Sequence, residues 1–580
     1  MSQPWQYVVS MPQPENHLFN VQLTISEWIE EFIDLHLPVW SPGSYLVREY
    51  AKHLQNFNAI NLDGKNLNWQ KITKNHWRVH TSKQPCQISY QIFAHELTVR
   101  TNHLDASHGY FNGAATFMFV PHHEDHSFTV EIVLPSENWQ IATALPHFEY
   151  QPSVFFADRY DTLADSPFEI GIHTQVKFEV QGKPHELIIW GEGNLDMAQV
   201  ETDTKAIITT EADLFGGLPY DHYVFILHLS NAYGGLEHRN CCSLIYPRFN
   251  FRGDQYLKFM NLVAHEFFHT WNVKRIRPKA LEKYDYDQEN YTTSLWFAEG
   301  ATSYYDQIIP LRARVYGKEQ FLKNLGETIT RLQNTPGRQV QSLYESSFDT
   351  WIKLYRPDAN SPNSQISYYL KGELVSLLLD LAIRISSNHA RSLDDVMRSL
   401  WQKFGNPDGN LNSEAEIGYT EADLYEVIAT VAGSNLQDFL EKHIYTTDEL
   451  DYNYYFEPFG IELYSGYAQK SVYTGISVRS NNGTAVVKSV DANSPAQLVG
   501  IDPNDEILAI NNFRVTPESF SDRLQDFQAN TEITITLFKQ DQLKQVLLKL
   551  ENPRCDRFLV SQIKKPNLIQ QENLRGWLGE

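Results

Sequence analysis

Two histidines four positions apart, with a glutamate directly after the first, constrain this chain more than any other feature. They lie in the segment His265-Glu266-Phe267-Phe268-His269. Residues i and i+4 of an α-helix share one face, so His265 and His269 can offer imidazole nitrogens to one metal ion. Glu266 lies beside that metal and can take a proton from a bound water, whose pKa zinc lowers from ~15.7 to about 7. The motif therefore predicts a helix with a catalytic zinc site.

The alternative is an ordinary His-Glu pair on a solvated helix face. Residues 256–264, directly before the motif, are largely apolar, which is typical of a buried helix. Two buried imidazoles and a carboxylate must be paired or bound to metal to offset their desolvation. The flanking sequence therefore favours the metal site, and Glu299 in the segment 296–300 is the candidate third ligand.

Composition limits the class of protein. The chain has 580 residues, 42% of them apolar, which is enough for about three or four domains with cores. We find no signal peptide at the start and no apolar run of about 18 residues, and we therefore expect a cytoplasmic protein without a membrane span. The four cysteines are too scattered for a disulfide framework and we expect free thiols.

The net charge of −23 bears on the partners of the protein. Nucleic-acid binding needs clustered Lys and Arg, which this sequence lacks, so we expect no nucleic-acid partner. An acidic field favours cationic ligands, among them a peptide with a free α-amino group, although an acidic surface also serves solubility.

The hydrophobic pattern changes along the chain. Residues 19–25, 86–92 and 128–134 alternate with period two, and Gln181-Gly182-Lys183-Pro184 predicts a hairpin turn. From about residue 250 the pattern becomes helical, and short strands return after about residue 466. We predict a multidomain α+β protein with four parts: a β-rich N-terminal domain (1–235), a mainly helical domain with the zinc motif (236–465), a small β domain (466–555) and a C-terminal tail (556–580).

Three segments together resemble the glycyl aminopeptidase family: the zinc motif running on into Thr270-Trp271-Asn272, the segment Trp296-Phe297-Ala298-Glu299-Gly300, and the stretch 39–49. The resemblance covers nearly the whole chain and extends more distantly to gluzincins of the aminopeptidase N type. It implies a β-rich N-terminal domain, a thermolysin-like catalytic domain and a C-terminal PDZ domain. It also implies one zinc ion held by His265, His269 and Glu299, although the gap before Glu299 is longer than in the wider group.

A substrate-binding segment follows from the same resemblance. Tyr233-Gly234-Gly235-Leu236-Glu237-His238 is similar to the Gly-Ala-Met-Glu-Asn motif of the wider group, in which an edge strand lies along the substrate. Glu237 then binds the free amine, and a blocked N-terminus leaves that carboxylate unpaired at a cost of ~1–3 kcal/mol. The alternative is a Gly234-Gly235 turn followed by a solvated glutamate.

Two further residues complete the candidate site. Tyr369, in a segment similar to the Tyr-x-Lys-Gly motif of aminopeptidase N relatives, is the candidate donor to the oxyanion, with Tyr368 one step off. Loss of such a donor typically costs ~10²–10³ in turnover. Asp306 lies two helical turns after Glu299 and is a candidate to orient a ligand imidazole; an ordinary surface acid is the alternative.

The C-terminal β domain resembles a PDZ domain in residues 474–478 and 493–511. PDZ domains hold a peptide C-terminus through loop amides and an edge strand, so a peptide C-terminus is a candidate partner. A structural or autoinhibitory domain is the alternative.

The sequence as a whole favours a zinc aminopeptidase that removes glycine or alanine from peptides with a free N-terminus. The first alternative is a zinc endopeptidase, which does not need Glu237. The second is an inactive PDZ scaffold, and the intact Glu266 argues against it.

Overall fold

The computed structural model describes residues 3–406, 417–468 and 470–579. The chain forms two compact units: residues 1–292, 312–316 and 397–424 make the first, and residues 293–311, 317–396 and 425–580 make the second. Within the described ranges, no helix combines the length and the apolar character needed to cross a membrane.

The strands, in chain order, are β1 (Trp5–Ser10), β2 (Leu18–Ile25), β3 (Phe32–His36), β4 (Leu54–Asn61), β5 (Trp69–Lys71), β6 (His76–His80), β7 (Cys86–Phe93), β8 (His103–Leu104), β9 (His108–Phe111), β10 (Phe128–Val133), β11 (Gln140–Ala142), β12 (Val154–Ala157), β13 (Phe168–Gly171), β14 (Thr174–Val180), β15 (Lys183–Trp190), β16 (Tyr223–Ser230), β17 (Gly234–Glu237), β18 (Cys241–Pro247), β19 (Ile461–Gly466), β20 (Ile476–Asn481), β21 (Thr484–Val490), β22 (Glu506–Ile510), β23 (Phe513–Arg514), β24 (Glu532–Lys539), β25 (Gln542–Lys549) and β26 (Arg557–Gln562).

The α-helices are α1 (Tyr160–Ala164), α2 (Met197–Phe215), α3 (Gly253–Phe268), α4 (Leu295–Ala298), α5 (Gly300–Arg312), α6 (Lys318–Gln333), α7 (Leu343–Phe348), α8 (Ser361–Ser364), α9 (Tyr368–Ser386), α10 (Leu393–Leu400), α11 (Glu421–Ala432), α12 (Gln437–Leu440), α13 (Tyr452–Phe456), α14 (Pro495–Leu498), α15 (Pro517–Leu524) and α16 (Leu568–Leu578).

The N-terminal part of the first unit is built from sheets, as the alternating pattern predicts. A six-stranded sheet has the order β12-β10-β1-β2-β7-β4, and sheets of three (β3-β6-β5) and four strands (β11-β13-β9-β8) accompany it. In β2, the buried side chains of Phe19, Val21 and Leu23 alternate with half-buried polar ones. β2 pairs with β7 in antiparallel register. One apolar face per strand therefore forms the core.

The remaining sheet of the first unit has the order β14-β15-β16-β18-β17. β15, β16 and β18 run parallel, whereas β17 pairs antiparallel with β18 at the edge. The predicted hairpin joins β14 to β15, with Gln181 and Gly182 at positive φ. The predicted domain limit at residue 235 falls inside β17, so this sheet contains strands from both predicted domains.

Helix α2 connects β15 to β16, in a region where we expected only strands. Asp196 caps its N-terminus by accepting hydrogen bonds from the amides of Ala198 and Gln199, and Gly216 ends it in a left-handed conformation. Buried residues recur at helical spacing along it, including Val200, Thr204, Ile207, Ile208, Glu211 and Phe215. Because several of these are polar, the amphipathic pattern is weak in the sequence.

The second unit combines helices with the C-terminal β domain. In that domain the strand order is β20-β21-β22-β24-β25, with β23 paired to β22. Its core includes Val487, Ile507, Ile535 and Leu548, all of them buried. The overall arrangement of a β-rich N-terminal part, a helical middle and a small C-terminal β domain confirms the predicted fold class.

The segment after the C-terminal β domain, predicted as a tail, forms β26 and α16. Asn567 opens α16 with a capping box. The indole of Trp577, fully buried, donates a hydrogen bond of 3.0 Å to the phenol of Tyr304, which in turn donates to Asp380 at 2.7 Å. The guanidinium of Arg384 donates to the carbonyl of Gly576. These contacts anchor α16 in the second unit.

We predict that Trp577→Ala destabilises the second unit by about 3–5 kcal/mol, because it leaves a large cavity and removes the donor to Tyr304. The measurement is chemical denaturation followed by circular dichroism. Leu568→Ala, at a 75% exposed position of the same helix, is the control and should change the free energy of unfolding by less than about 0.5 kcal/mol. Equal stability of the Trp577 variant and wild type would contradict the anchoring role.

Candidate active site

Helix α3 carries the zinc motif and is largely buried, as the flanking sequence predicts. His265 occupies its last turn, and His269 follows directly after its end in a helical conformation. The two imidazole centroids lie 4.7 Å apart with the rings nearly perpendicular. The predicted same-face arrangement of the two histidines is therefore present.

The tautomer of His269 is set by its local backbone. Its Nδ1 lies 2.6 Å from the carbonyl oxygen of Asn272, so this nitrogen carries the proton and donates it. Nε2 then carries no proton, as a metal ligand requires. The sequence predicts Asp306 for such an orienting role and does not reveal the Asn272 carbonyl, because a backbone group has no side-chain identity to recognise.

Edge strand β17 lies directly against Glu266 of the motif. A Cβ placed on Gly235 would be 1.9 Å from a carboxylate oxygen of Glu266. Only glycine therefore fits at position 235 with Glu266 in its present place. The guanidinium of Arg100 donates a 2.9 Å hydrogen bond to the carbonyl of Gly235 and holds the strand. The structure thus assigns Gly235 a steric role. Gly234 has no such steric role, because the contacts around its Cβ position are ordinary.

Glu237 ends the same strand with its side chain buried at 4% exposure. Its carboxylate lies against Gly43, where a Cβ would be 2.4 Å from Oε1. Gly43 belongs to the 39–49 stretch and has a φ of +85°. Glu237, Glu266 and His269 form a compact group, with ligand-type atoms all within 4.8 Å of one another. The alternative of a solvated glutamate in a turn is therefore wrong.

The charge of Glu237 is incompletely balanced by the protein. Oε1 of Glu237 has no hydrogen-bond partner among the described residues. Lys274 interacts electrostatically with Glu237, but its ion pair, at 2.8 Å, is with Asp165. Burial lowers the pKa of Lys274, but Asp165 and, more weakly, Glu237 outweigh this and raise it. Glu237 therefore retains an oxygen able to accept from a further cation.

Glu299 lies in the second unit, directly after α4, and is buried at 1% exposure. The helices around it pack through two glycines of the sequence motifs. A Cβ on Gly300 would be 2.5 Å from the Cα of Gly372, and one on Gly372 would be 2.7 Å from the carbonyl oxygen of Trp296. The start of α5 therefore lies in backbone contact with α9, which carries Tyr369.

The two candidate tyrosines differ in their surroundings. Tyr368 is fully buried and its phenol accepts a hydrogen bond from Thr350. Tyr369 is half-buried, with its phenol 3.0 Å from that of Tyr355. Burial raises the pKa of Tyr369 well above its ordinary value, and the charge of Glu299 raises it further. Burial raises the pKa of Tyr368 in the same way, so the two phenols differ in exposure and in their hydrogen-bond partners and not in the direction of the pKa shift. Tyr355, the partner of Tyr369, is not revealed by the sequence motif.

Asp306 also lies in the second unit, on α5, where its carboxylate accepts a 2.7 Å hydrogen bond from the side chain of Gln307. The catalytic and metal-binding roles of the residues in the second unit, Glu299, Tyr369 and Asp306, stay predictions.

The paired histidines, the glutamate between them and the neighbouring edge strand are the features of a metallopeptidase. Comparison with family models supports this class. The N-terminal domain model of peptidase family M61 matches residues 6–172, the M61 glycyl aminopeptidase model matches residues 258–375, and a PDZ model matches residues 472–550.

Among solved structures, an aminopeptidase N family protein from Idiomarina loihiensis is 32% identical, with a TM-score of 0.92 over 99% of this chain and 100% of its own. An M1 zinc metallopeptidase from Deinococcus radiodurans is 15% identical, with a TM-score of 0.48 over 77% of this chain and 94% of its own. No curated protein matches the sequence. The chain belongs to the M61 glycyl aminopeptidase family, which supports a peptidase function.

We predict that Gly300→Ala destabilises the second unit by about 1–3 kcal/mol, because the new methyl group forces α5 and α9 apart. Hydrolytic activity should fall with it, since Glu299 and Tyr369 flank this contact. Thermal unfolding and turnover are the measurements. Gly576→Ala is the matched control: it lies in a helix with nothing near its Cβ position and should be neutral or stabilising. Wild-type stability and turnover in the Gly300 variant would contradict the packing role.

Proposed function

We propose that this protein is a zinc aminopeptidase that removes small N-terminal residues, glycine or alanine, from peptides. The position and burial of Glu237 support this proposal most strongly. It is a buried carboxylate at the end of an edge strand, beside Glu266, with one oxygen unpaired among the described residues. A substrate ammonium group is a cation of the right size and charge for this position.

The proposed metal ligands are His265, His269 and Glu299. Two imidazoles and a carboxylate are the donor set of many catalytic zinc sites. The fixed tautomer of His269 suits this role, because its Nε2 is free of the proton. The Idiomarina loihiensis structure matches 99% of this chain, so both units have counterparts in one solved protein. When bound, one zinc ion supplies a water acidified to a pKa of about 7.

One strand and three side chains of the protein bind the substrate and promote its hydrolysis. β17, at the edge of its sheet, pairs with the extended backbone of the substrate. Glu237 holds the substrate's ammonium group and so fixes which peptide bond is presented. Glu266 takes the proton of the attacking water and later gives it to the leaving amine. Tyr369 donates a hydrogen bond to the oxygen on which negative charge develops.

The preference for small residues is supported by the match of residues 258–375 to the M61 glycyl aminopeptidase model. The endopeptidase alternative differs in one respect, since an internal peptide bond presents no ammonium group to Glu237.

The proposal is tested with glycyl and alanyl arylamides and their N-acetylated forms, each with and without a chelator. Only the free-amine substrates should be cleaved, and the chelator should abolish cleavage. Glu237→Gln should reduce kcat/KM for free-amine substrates by about 10²-fold or more, because a charge-assisted bond is lost. Glu186→Gln, a partly buried glutamate on β15, is the matched control. If acetylated substrates are cleaved equally well and Glu237→Gln leaves kcat/KM unchanged, the protein is an endopeptidase instead.

The role of Tyr369 is tested by Tyr369→Phe. The variant should lose about 10²–10³-fold in turnover with unchanged zinc content, since the phenol is not a proposed ligand. Tyr368→Phe is the matched control, because that phenol bonds only inside the core of the second unit and should affect stability more than turnover. A Tyr369 variant with near-normal rates would exclude the oxyanion role.

A peptide C-terminus is the proposed ligand of the PDZ domain. β20 lies at the edge of its sheet, and Gly475 in the preceding loop has a φ of +77° with no space for a Cβ beside Ser494. Loop amides and an edge strand are the elements with which PDZ domains bind a peptide end. Within the second unit the domain is fixed to the helical part, because Asn363 on α8 bonds to the backbone of Val490 and Ala492.

A further inference from the structure

A second group of metal-ligating side chains lies in the first unit, on strands away from the zinc motif. His108 on β9, Glu169 on β13 and His228 on β16 have ligand atoms within 4.8 Å of one another. Two imidazoles and one carboxylate make the same donor set as a zinc site. None of the three residues has a part in the proposed peptidase mechanism.

Strand register explains why these side chains meet. Glu169 pairs directly with Tyr110, and Gly171 pairs with His108, so the side chains at 108, 110 and 169 share one face of the four-stranded sheet. The opposite face carries Phe111, Phe168 and Ile170, which belong to the N-terminal core. Alternation along β9 and β13 thus separates an apolar face from a face with polar groups.

The polar face is covered by the five-stranded sheet. Tyr110 packs with Ile188, Val224 and Ile226 of that sheet in a small apolar cluster. His228 lies two residues beyond Ile226 on the same face of β16, and its ring is 4.8 Å from that of Tyr110. The His108, Glu169 and His228 group therefore lies at one end of an apolar interface between two sheets.

All three side chains are fully buried, each at 0% exposure. The only hydrogen bond between them joins His228 Nε2 to Glu169 Oε2 at 2.9 Å. Both ring nitrogens of His108, Nδ1 of His228 and Oε1 of Glu169 have no hydrogen-bond partner among the described residues. Buried polar atoms normally have partners, so this concentration of unsatisfied donors and acceptors points to a ligand-binding site.

Charge at this position is poorly stabilised by the protein alone. Burial raises the pKa of Glu169 to about 8 and lowers that of His228 to about 3. A carboxyl group and two imidazoles enclosed together are groups whose desolvation a divalent cation would offset.

Three neighbouring residues define the position of the His108 ring. It stacks on the indole of Trp190 with centroids 3.7 Å apart. Gly171 gives it room, because a Cβ there would be 2.6 Å from the Cβ of His108. Its Nδ1 lies 3.8 Å from Asp105. A carboxylate behind one ring nitrogen of a metal-ligating histidine is the usual arrangement.

An overlapping group of His103, Asp105 and His108 is the weaker candidate. Asp105 is half-exposed and already accepts hydrogen bonds from the backbone and hydroxyl of Ser107, both at 2.7 Å, and from His103 at 3.1 Å. Its oxygens are therefore engaged, which suits an orienting role better than a ligand role.

We propose that His108, Glu169 and His228 bind one zinc ion, a second site besides the one proposed for the peptidase. His108 binds through Nε2, with Nδ1 directed to Asp105. Because β9 and β13 belong to one sheet and β16 to another, the ion joins the two sheets inside the first unit. Because all three ligands are fully buried, the proposed role of the ion is to hold the two sheets together and not to meet a substrate.

The test counts metal ions in the full-length protein. The apoprotein is reloaded with zinc, passed through a desalting column, and analysed by mass spectrometry of the metal. Wild type should hold about two zinc ions per chain, and the variant His265→Gln/His269→Gln about one. With cobalt in place of zinc, that variant should still show visible d–d absorption.

Adding Glu169→Gln or His108→Gln to the His265/His269 variant should remove the remaining metal and the cobalt absorption. Tyr110→Phe, a conservative change of a buried neighbour that offers no ligand, is the matched control and should retain the metal. The proposal is overturned if the His265/His269 variant binds no zinc, or if its zinc persists after His108→Gln. The zinc content of the His265/His269 variant is informative even if the added substitutions prevent folding. Neither metal measurement depends on peptidase activity.

Discussion

The close approach of β17 to α3 is the contact on which the candidate active site depends. It exists because position 235 has no side chain, so that Glu266 occupies the space a Cβ would need. Positions 235 and 237 share one face of the strand, and the same strand that makes room for Glu266 therefore brings Glu237 into the group with Glu266 and His269. A base for water and an acceptor for a substrate amine are in this way positioned by one short strand.

Glycine is used in the same manner at two other points. Gly43 admits the carboxylate of Glu237, and Gly300 meets Gly372 where the helix after Glu299 packs on the helix of Tyr369. At Gly43 the absence of a Cβ lets the backbone approach a functional side chain. At Gly300 it lets two helices approach each other more closely than any other residue would allow. The motif glycines thus act through packing, and the acids beside them carry the chemistry.

Local periodicity made part of the fold and part of the candidate site predictable from the sequence. The helix of His265 and His269, the hairpin at 181–182 and the alternating strands follow from spacing within a few residues. Helix α2 was missed because several of its buried positions are polar, and α16 because its anchor is a single tryptophan in a polar segment. The Gly43–Glu237 contact and the group of His108, Glu169 and His228 join residues far apart in the chain, which no local pattern reveals.

An anomalous difference map at the zinc absorption edge, from crystals of the zinc-loaded protein, would show directly which residues bind the metal of the peptidase site. We expect a strong peak at this site bound by Nε2 of His265, Nε2 of His269 and the carboxylate of Glu299, with Glu237 unliganded and available for an amine. A peak bound instead by Glu237, Glu266 and His269 would contradict this expectation, because the proposed base and the proposed amine anchor would then both be metal ligands.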